Sequence, residues 1–339
     1  MSEEDPIRPW FEALESMGEY TGIRLGKVCE ETDSIEWVDK PHSEYDGIGG
    51  FAKILRDRGA DISTLPRIPH SIRESWWPFI KSIPAMMGPR KRLGVIAKGG
   101  SEDHTTYNQQ PKAIAWHVFS EEESSLIRKA GRILQISINS LLLRHLDRCI
   151  RQSLEDPSAL VTWMVPVNLR GKIKKENDTS NHSSFVAVNL AASETPLQVH
   201  NQIYRRLRKG EHWANWKAYK MGRFISKSAK EKMIRSDRGT TRWNMGSFSN
   251  LGIWDSNNKI KSDGCQGPWI FAPPVLESVR IGAGCITYQN RLSLMIQAHP
   301  ALTTDASVTE AWMKEWVAQV NIDMVIRRHD KSNEEKLTQ

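Results

Sequence analysis

From residue 112 onward, apolar strands and amphipathic helices come in blocks and do not alternate, and this order restricts the fold more than any other feature of the chain. Ala113 to Phe119 is β-rich, and Ser120-Glu121-Glu122-Glu123 then forms a capping box into a helix from Ser124 to Leu134. A second helix is expected from Ile138 to about Leu154, with Leu141, Leu142, His145, Leu146 and Cys149 on one face and Pro157 beyond its end. Two apolar strands follow, 159–169 and 184–190, and then two helical stretches, about 195–210 and 213–236. Strand-like segments at 243–251, 275–281, 283–288 and 291–298 lead into a last helix from Val308 to about Ile326. Strict alternation would predict a parallel doubly wound sheet, whereas blocks predict an α/β protein with mixed, α+β-type sheets. No fixed-period repeat is visible, which excludes a solenoid. With 339 residues, the chain can bury a substantial core.

The N-terminal third has another texture. Ser34 to Lys40 is a candidate strand and Gly49 to Arg58 has helical spacing through Phe51, Ile54 and Leu55, so residues 41–48 form a loop between them. Residues 61–111 carry Pro66, Pro69, Pro78, Pro84, Pro89 and Pro111 and are expected to be an irregular crossover. We therefore divide the chain into an N-terminal part (1–111), a C-terminal half (112–326) and a polar tail (327–339). Within the crossover, Trp76, Trp77, Phe79, Met86 and Met87 precede Arg90, Lys91 and Arg92. Residues 75–92 thus have either the composition of a lipid-headgroup contact or that of a loop packed over the core. The stretch Gly94 to Ser101 lacks dinucleotide or Walker spacing and is expected to be a plain loop.

Charge and cysteine usage narrow the function classes. A net charge of +7 and a pI near 9.2 favour acidic partners. The cations concentrate between residues 203 and 242, interleaved with Trp213, Trp216, Tyr219 and Phe224. Such a segment suits the phosphates of a coenzyme, an acidic carrier protein, a nucleic acid or plain solvent; we rank nucleic acid last. The cysteines, Cys29, Cys149, Cys265 and Cys285, are far apart without a CxxC pair, so reduced structural thiols are expected. Scattered histidines give no metal-ligand spacing, so no metal is expected, and no Gly-x-Ser-x-Gly elbow is present. The first residues, Met-Ser-Glu-Glu-Asp, lack the form of a secretory signal and no apolar run reaches membrane-spanning length, so we expect a cytoplasmic protein that could also sit peripherally at a membrane.

The candidate chemistry lies in the loop at 42–47, His42-Ser43-Glu44-Tyr45-Asp46-Gly47. With ten histidines, His-x-x-x-Asp-Gly arises by chance in about 0.03 of chains of this composition. A neutral imidazole held on a loop between strand and helix suits removal of a proton from a hydroxyl, amine or thiol near pH 7. Asp46 can brace the loop, and Gly47 admits tight backbone geometry.

Further segments connect this loop to a family. Val165-Pro166-Val167-Asn168-Leu169-Arg170 resembles the Pro-Val-Asn/Ser-Leu-Arg strand of wax ester synthase/diacylglycerol acyltransferases and of peptide-synthetase condensation domains. The two helices before it, the Asn181 to Asn189 strand after it, Ser249-Asn250-Leu251-Gly252, and the closing strands and helix from Ile281 to Val320 are similar to family segments in the same order. The chain is thus identified as resembling the chloramphenicol-acetyltransferase-like acyltransferase superfamily over about residues 34–320.

That resemblance implies two similar halves around a central tunnel with His42 at its middle. His42 would be the general base, Asp46 a structural carboxylate paired with an arginine for which Arg170 is the candidate, and Ser249 and Asn250 oxyanion or structural support. It implies transfer of an acyl group from a thioester, acyl-CoA or acyl carrier protein, to a hydroxyl or amine, with no covalent intermediate and no cofactor. Only 41 residues precede His42, fewer than in the family. A truncated N-terminal half is therefore expected, or one completed by another chain in a homo- or hetero-oligomer. The alternative is a non-catalytic relative that binds an acidic partner.

Overall fold

A computed structural model describes residues 5–32, 34–67, 74–81, 110–173, 175, 177–239, 244–254 and 267–337, with side chains except in 236–239 and 323–337. Two sheets organise it. The larger has six strands: β3 (Ile114–Val118), β4 (Val161–Asn168), β5 (Ser183–Leu190), β6 (Asn244–Trp254), β8 (Val279–Tyr288) and β9 (Arg291–Ala298), in the spatial order β3-β9-β8-β6-β4-β5. Its centre is parallel, β4 to β6 and β6 to β8, and its outer pairs are antiparallel. The smaller sheet sets β1 (Gly22–Cys29) between β2 (Ser34–Pro41) and β7 (Trp269–Ala272), all antiparallel. The mixed α/β class expected from block order is the class observed.

Alternation along the strands of the large sheet decides its faces. Val161, Trp163, Val165, Val186, Val188, Ile281, Ala283, Leu294 and Ile296 all enter one core. Helices cover that face: α3 (Glu121–Ile133), α4 (Ile138–Arg151), α5 (Pro196–Arg208) through Val199 and Ile203, and the closing α8 (Ala306–Leu337), whose Trp312 and Trp316 join the same core. The capping box at Ser120 and Glu123 is formed. A buried charge cluster fixes α4 to the sheet. Asp147 accepts from Arg144, Arg151 and the indole of Trp163 at 2.6–2.9 Å, so three buried donors share one carboxylate.

On the opposite face lies the second core, built from Ile23 and Leu25 of β1, Trp269 and Phe271 of β7, Leu251, Trp254, Ile286 and Tyr288, and Phe51, Ile54 and Leu55 of α2 (Gly47–Asp57). The sheets approach closely at β8, where a Cβ on Gly284 would lie 2.3 Å from the carbonyl oxygen of Phe271. Only a glycine permits that approach.

Several elements differ from expectation. The helix α1 (Arg8–Ser16) and strands β1 and β7 are absent from the sequence expectation, although Trp10, Phe11, Ala13 and Leu14 of α1 have helical spacing after Pro9. β1 is buried on both faces yet contains Arg24 and Lys27, which hide its pattern. The helical stretch at 213–236 is two helices, α6 (Glu211–Met221) and α7 (Lys227–Gly239), after α5 (Pro196–Arg208); a 3-10 turn, Gly222–Phe224, separates them. Trp10 occupies the space a side chain at Gly222 would need, 2.1 Å from its Cβ position. Residues 279–281 and 283–288 belong to the single strand β8, and 275–278 form the turn before it rather than a strand. α8 continues to Leu337, through a tail that contains neither Gly nor Pro after Ile326. Cys29 is disulfide-bonded, which corrects the expectation of reduced thiols; spacing cannot show which side chains a fold juxtaposes. Cys149 and Cys285 are free and buried, and Cys265 lies outside the described residues. Residues 82–109, with Met86, Met87, the Arg90 cluster and Gly94 to Ser101, also lie outside them.

Replacing Gly284 by Ala is expected to cost about 1–3 kcal/mol, because backbone on both sides must separate. Urea unfolding of the two proteins checks this.

Candidate active site

The 42–47 loop leaves β2 and enters α2, and its first purpose in the structure is to cap that helix. Asp46 is the N-cap, and its Oδ1 accepts the amide of Gly49 at 2.7 Å. The same carboxylate receives both Nη atoms of Arg170, at 2.8 and 2.9 Å, and the backbone amide of His182 at 2.7 Å. Arg170 follows the end of β4 and gives its remaining donors to the carbonyls of Asp178 and Ser180 and to Asn168 Oδ1. Asp46 and Arg170 are each 4% exposed, so the pair is buried, bidentate and fully bonded, the one form in which a buried ion pair is compatible with stability.

This hub aligns the strand-to-helix loop against the β4–β5 connection. Asn181 donates from its backbone to the carbonyl of Glu44 at 2.9 Å and from Nδ2 to the carbonyl of His42 at 2.8 Å. Its Oδ1 accepts from the backbone and hydroxyl of Ser183, which fixes the amide orientation. His42 Nδ1 lies 2.7 Å from the carbonyl oxygen of Tyr45. A carbonyl only accepts, so this contact, shorter than the 3.3 Å approach of Asn181 Nδ2 to the same nitrogen, favours the proton on Nδ1 and leaves the lone pair on Nε2. No hydrogen bond to Nε2 is found among the described residues. Burial pushes the His42 pKa below its ordinary 6.5, outweighing the opposite effects of the Tyr45 carbonyl, Asp46 and Asp5. The ring is therefore neutral at pH 7, with no partner to its basic nitrogen among the described residues.

The N-terminal segment covers the imidazole. Phe11 of α1 lies on the His42 ring with centroids 4.6 Å apart, and Ile7 and Phe11 pack with Leu169, Trp213 and Trp216. Asp5 pairs with Lys175, which also donates to the carbonyl of Asn181. Burial lowers the Lys175 pKa, against the pull of Asp5.

The other predicted residues fall nearby with different local tasks. Gly47 has ordinary φ, and its need for glycine is spatial: a Cβ would lie 2.6 Å from Leu251 and 2.9 Å from Phe271. Gly49, unmarked in the sequence reading, is the tighter position, 1.8 Å from the carbonyl oxygen of Thr179. The Ser249-Asn250-Leu251-Gly252 segment is a bulge in β6. Asn250 closes it through Oδ1 to the amide of Gly252, whose φ of +85° suits glycine. Leu251 brings the bulge against Gly47. Neither Ser249 nor Asn250 hydrogen-bonds to His42, Asp46 or Arg170 among the described residues. Asn181, Phe11 and Lys175 were not singled out in advance. Asn181 alone had a signal, as the polar residue opening the strand at 181–189. No group of His, Cys, Asp and Glu among the described residues could hold a metal ion.

No protein-family model and no curated protein matches the sequence. Solved structures match in fold. The epimerization domain of the third module of tyrocidine synthetase B aligns with a TM-score of 0.52 and 13% identity over 87% of this chain and 71% of that one. The EpoB cyclization-docking bidomain of a Sorangium cellulosum nonribosomal peptide synthetase gives 0.53 and 10% over 85% and 59%. The trichothecene 15-O-acetyltransferase of Fusarium sporotrichioides gives 0.54 and 12% over 95% and 75%. The chain thus has the chloramphenicol-acetyltransferase-like fold of these condensation-type domains and of this acetyltransferase. It spans about six-tenths of the bidomain and about three-quarters of the acetyltransferase.

Two outcomes are expected. Asp46→Ala leaves Arg170 buried and unpaired and should cost about 3–5 kcal/mol in urea unfolding. His42, observed by NMR through its ring protons, should titrate below 6.5 in the folded protein. The unfolded state then binds the extra proton, so His42 makes stability rise with pH up to about 6.5 and be lost as pH falls below it.

Proposed function

We propose that the chain is an acyltransferase in which His42 Nε2 removes the proton of an acceptor hydroxyl or amine as that group attacks an acyl thioester. The observation that carries this reading is the 2.7 Å contact of His42 Nδ1 with the Tyr45 carbonyl, which favours the proton on Nδ1 and leaves Nε2 with its lone pair and no hydrogen-bond partner among the described residues. Loss of a proton from the acceptor, formation of the acyl–oxygen or acyl–nitrogen bond and expulsion of the thiolate form a closed cycle if the imidazolium returns its proton to the leaving sulfur. No covalent enzyme intermediate and no metal is required. Asp46 and Arg170 act at one remove, holding the loop that presents the imidazole. Ser249 is the candidate donor to the tetrahedral oxyanion; Asn250 supports the bulge that carries it. The thioester, whether on coenzyme A or on a carrier protein, would approach a chain whose net charge of +7 favours both phosphate and acidic protein.

The test uses purified protein, a panel of acyl-coenzyme A thioesters and small hydroxyl and amine acceptors, with free thiol and acylated product measured together. Acceptor-dependent turnover is expected, and His42→Ala should lower it about 10²–10⁴-fold with unchanged circular dichroism. Ser249→Ala should lose up to about 10²–10³-fold in kcat. Because the base is active when neutral, the rate should be flat above about pH 6.5 and fall on acidification with a midpoint below 6.5. Equal turnover by His42→Ala would instead favour the non-catalytic alternative.

A further inference from the structure

We propose that Trp76, Trp77 and Ile80, together with Met221 and Phe224, form one membrane-docking surface selective for anionic lipid. The two segments are about 140 residues apart in sequence and meet through Lys217. Its Nζ lies 4.3 Å from the Trp76 ring centroid and pairs with Glu74. Lys217, Met221 and Phe224 follow one another at helical intervals along α6 and the 3-10 turn, so the end of that helix lies beside the tryptophans.

The apolar exposure on both segments is large. Trp76 is 50%, Trp77 61%, Ile80 51%, Met221 42% and Phe224 86% exposed. Isolated exposed apolar side chains need no explanation, whereas a contiguous set marks an interaction site. Phe224 is also held out firmly, because its turn begins at Gly222, which is packed flush on Trp10.

Charge selects the occupant. Lys81 lies over the Trp77 ring, and Arg223 and Lys227 flank Phe224, all exposed. Glu74, beside the tryptophans in sequence, is already neutralised by Lys217. Aromatic side chains sit favourably at headgroup depth while cations meet anionic lipid, and a projecting phenylalanine finds a socket anywhere on a bilayer but only at a matched pocket on a protein. No helix among the described residues is long and apolar enough to cross a membrane, so the contact would be peripheral.

The experiment is vesicle co-sedimentation of the full chain, with vesicles of phosphatidylcholine alone and with added phosphatidylglycerol. Binding is expected only with phosphatidylglycerol, weakening as salt rises, and tryptophan emission should shift to the blue. Trp77→Ser with Phe224→Ser should weaken binding about tenfold or more. Lys81→Glu with Lys227→Glu should weaken it by at least about fivefold for each charge removed. All four positions are exposed, so folding is preserved, and acyl transfer activity is not needed for the readout. Absence of binding to anionic vesicles at low salt, or equal binding by the variants, overturns the proposal. Binding to polyglutamate without binding to vesicles overturns it in favour of an acidic protein partner.

Discussion

One buried carboxylate organises the region where the chemistry is placed. Asp46 ends the approach from β2, caps α2, receives Arg170 from beyond β4 and receives the amide of His182 at the entry to β5. Three chain segments distant in sequence thus meet on two oxygen atoms. Neither charge could remain there alone, since an unpaired buried ion costs several kcal/mol. The geometry of the His42 loop follows from satisfying that pair. The second cluster of this kind, Asp147 with Arg144, Arg151 and Trp163, does for the helical layer what the first does for the loop.

The cover over His42 follows from aromatic packing. Trp213 and Trp216 of α6 provide the apolar surface on which Ile7 and Phe11 settle, and Phe11 excludes water from one face of the imidazole. The depressed His42 pKa is a consequence of that burial. A neutral ring with a free Nε2 is the state a general base requires, so packing and candidate chemistry depend on the same contact. Among the described tryptophans, Trp163, Trp213, Trp216, Trp254, Trp269, Trp312 and Trp316 are buried in cores, while Trp37, Trp76, Trp77 and Trp116 are exposed.

The larger sheet and its helices were legible because their residues obey simple periods. Val161, Trp163 and Val165 alternate, and Leu142, Leu146 and Ile150 recur at helical spacing, because each element buries one face. β1 and β7 were not legible, and α1 was missed although Trp10, Phe11, Ala13 and Leu14 have helical spacing. Their contacts come from remote segments, and β1 carries Arg24 and Lys27 at positions where a sequence pattern expects apolar residues. At the site, His42 and Asp46 were visible as a spaced pair, and Arg170 as a motif arginine. Asn181 and Phe11 were not, because their roles are contacts and contacts have no local signature. Gly49 resembled any helical glycine until the carbonyl of Thr179 was seen against it.

The sequence by itself determined the mixed α/β class, the existence and order of most elements, and the loop carrying a candidate base, since all of these follow from local periodicity, capping and residue chemistry. Tertiary structure alone decided that Cys29 is bridged, that α1 lies over the imidazole, that Asp46 and Arg170 neutralise each other, and that Trp76 adjoins Lys217. The physical reason is range: backbone preference and hydrophobic period act over a few residues, whereas burial and charge pairing depend on which distant segments the fold brings within a few ångströms.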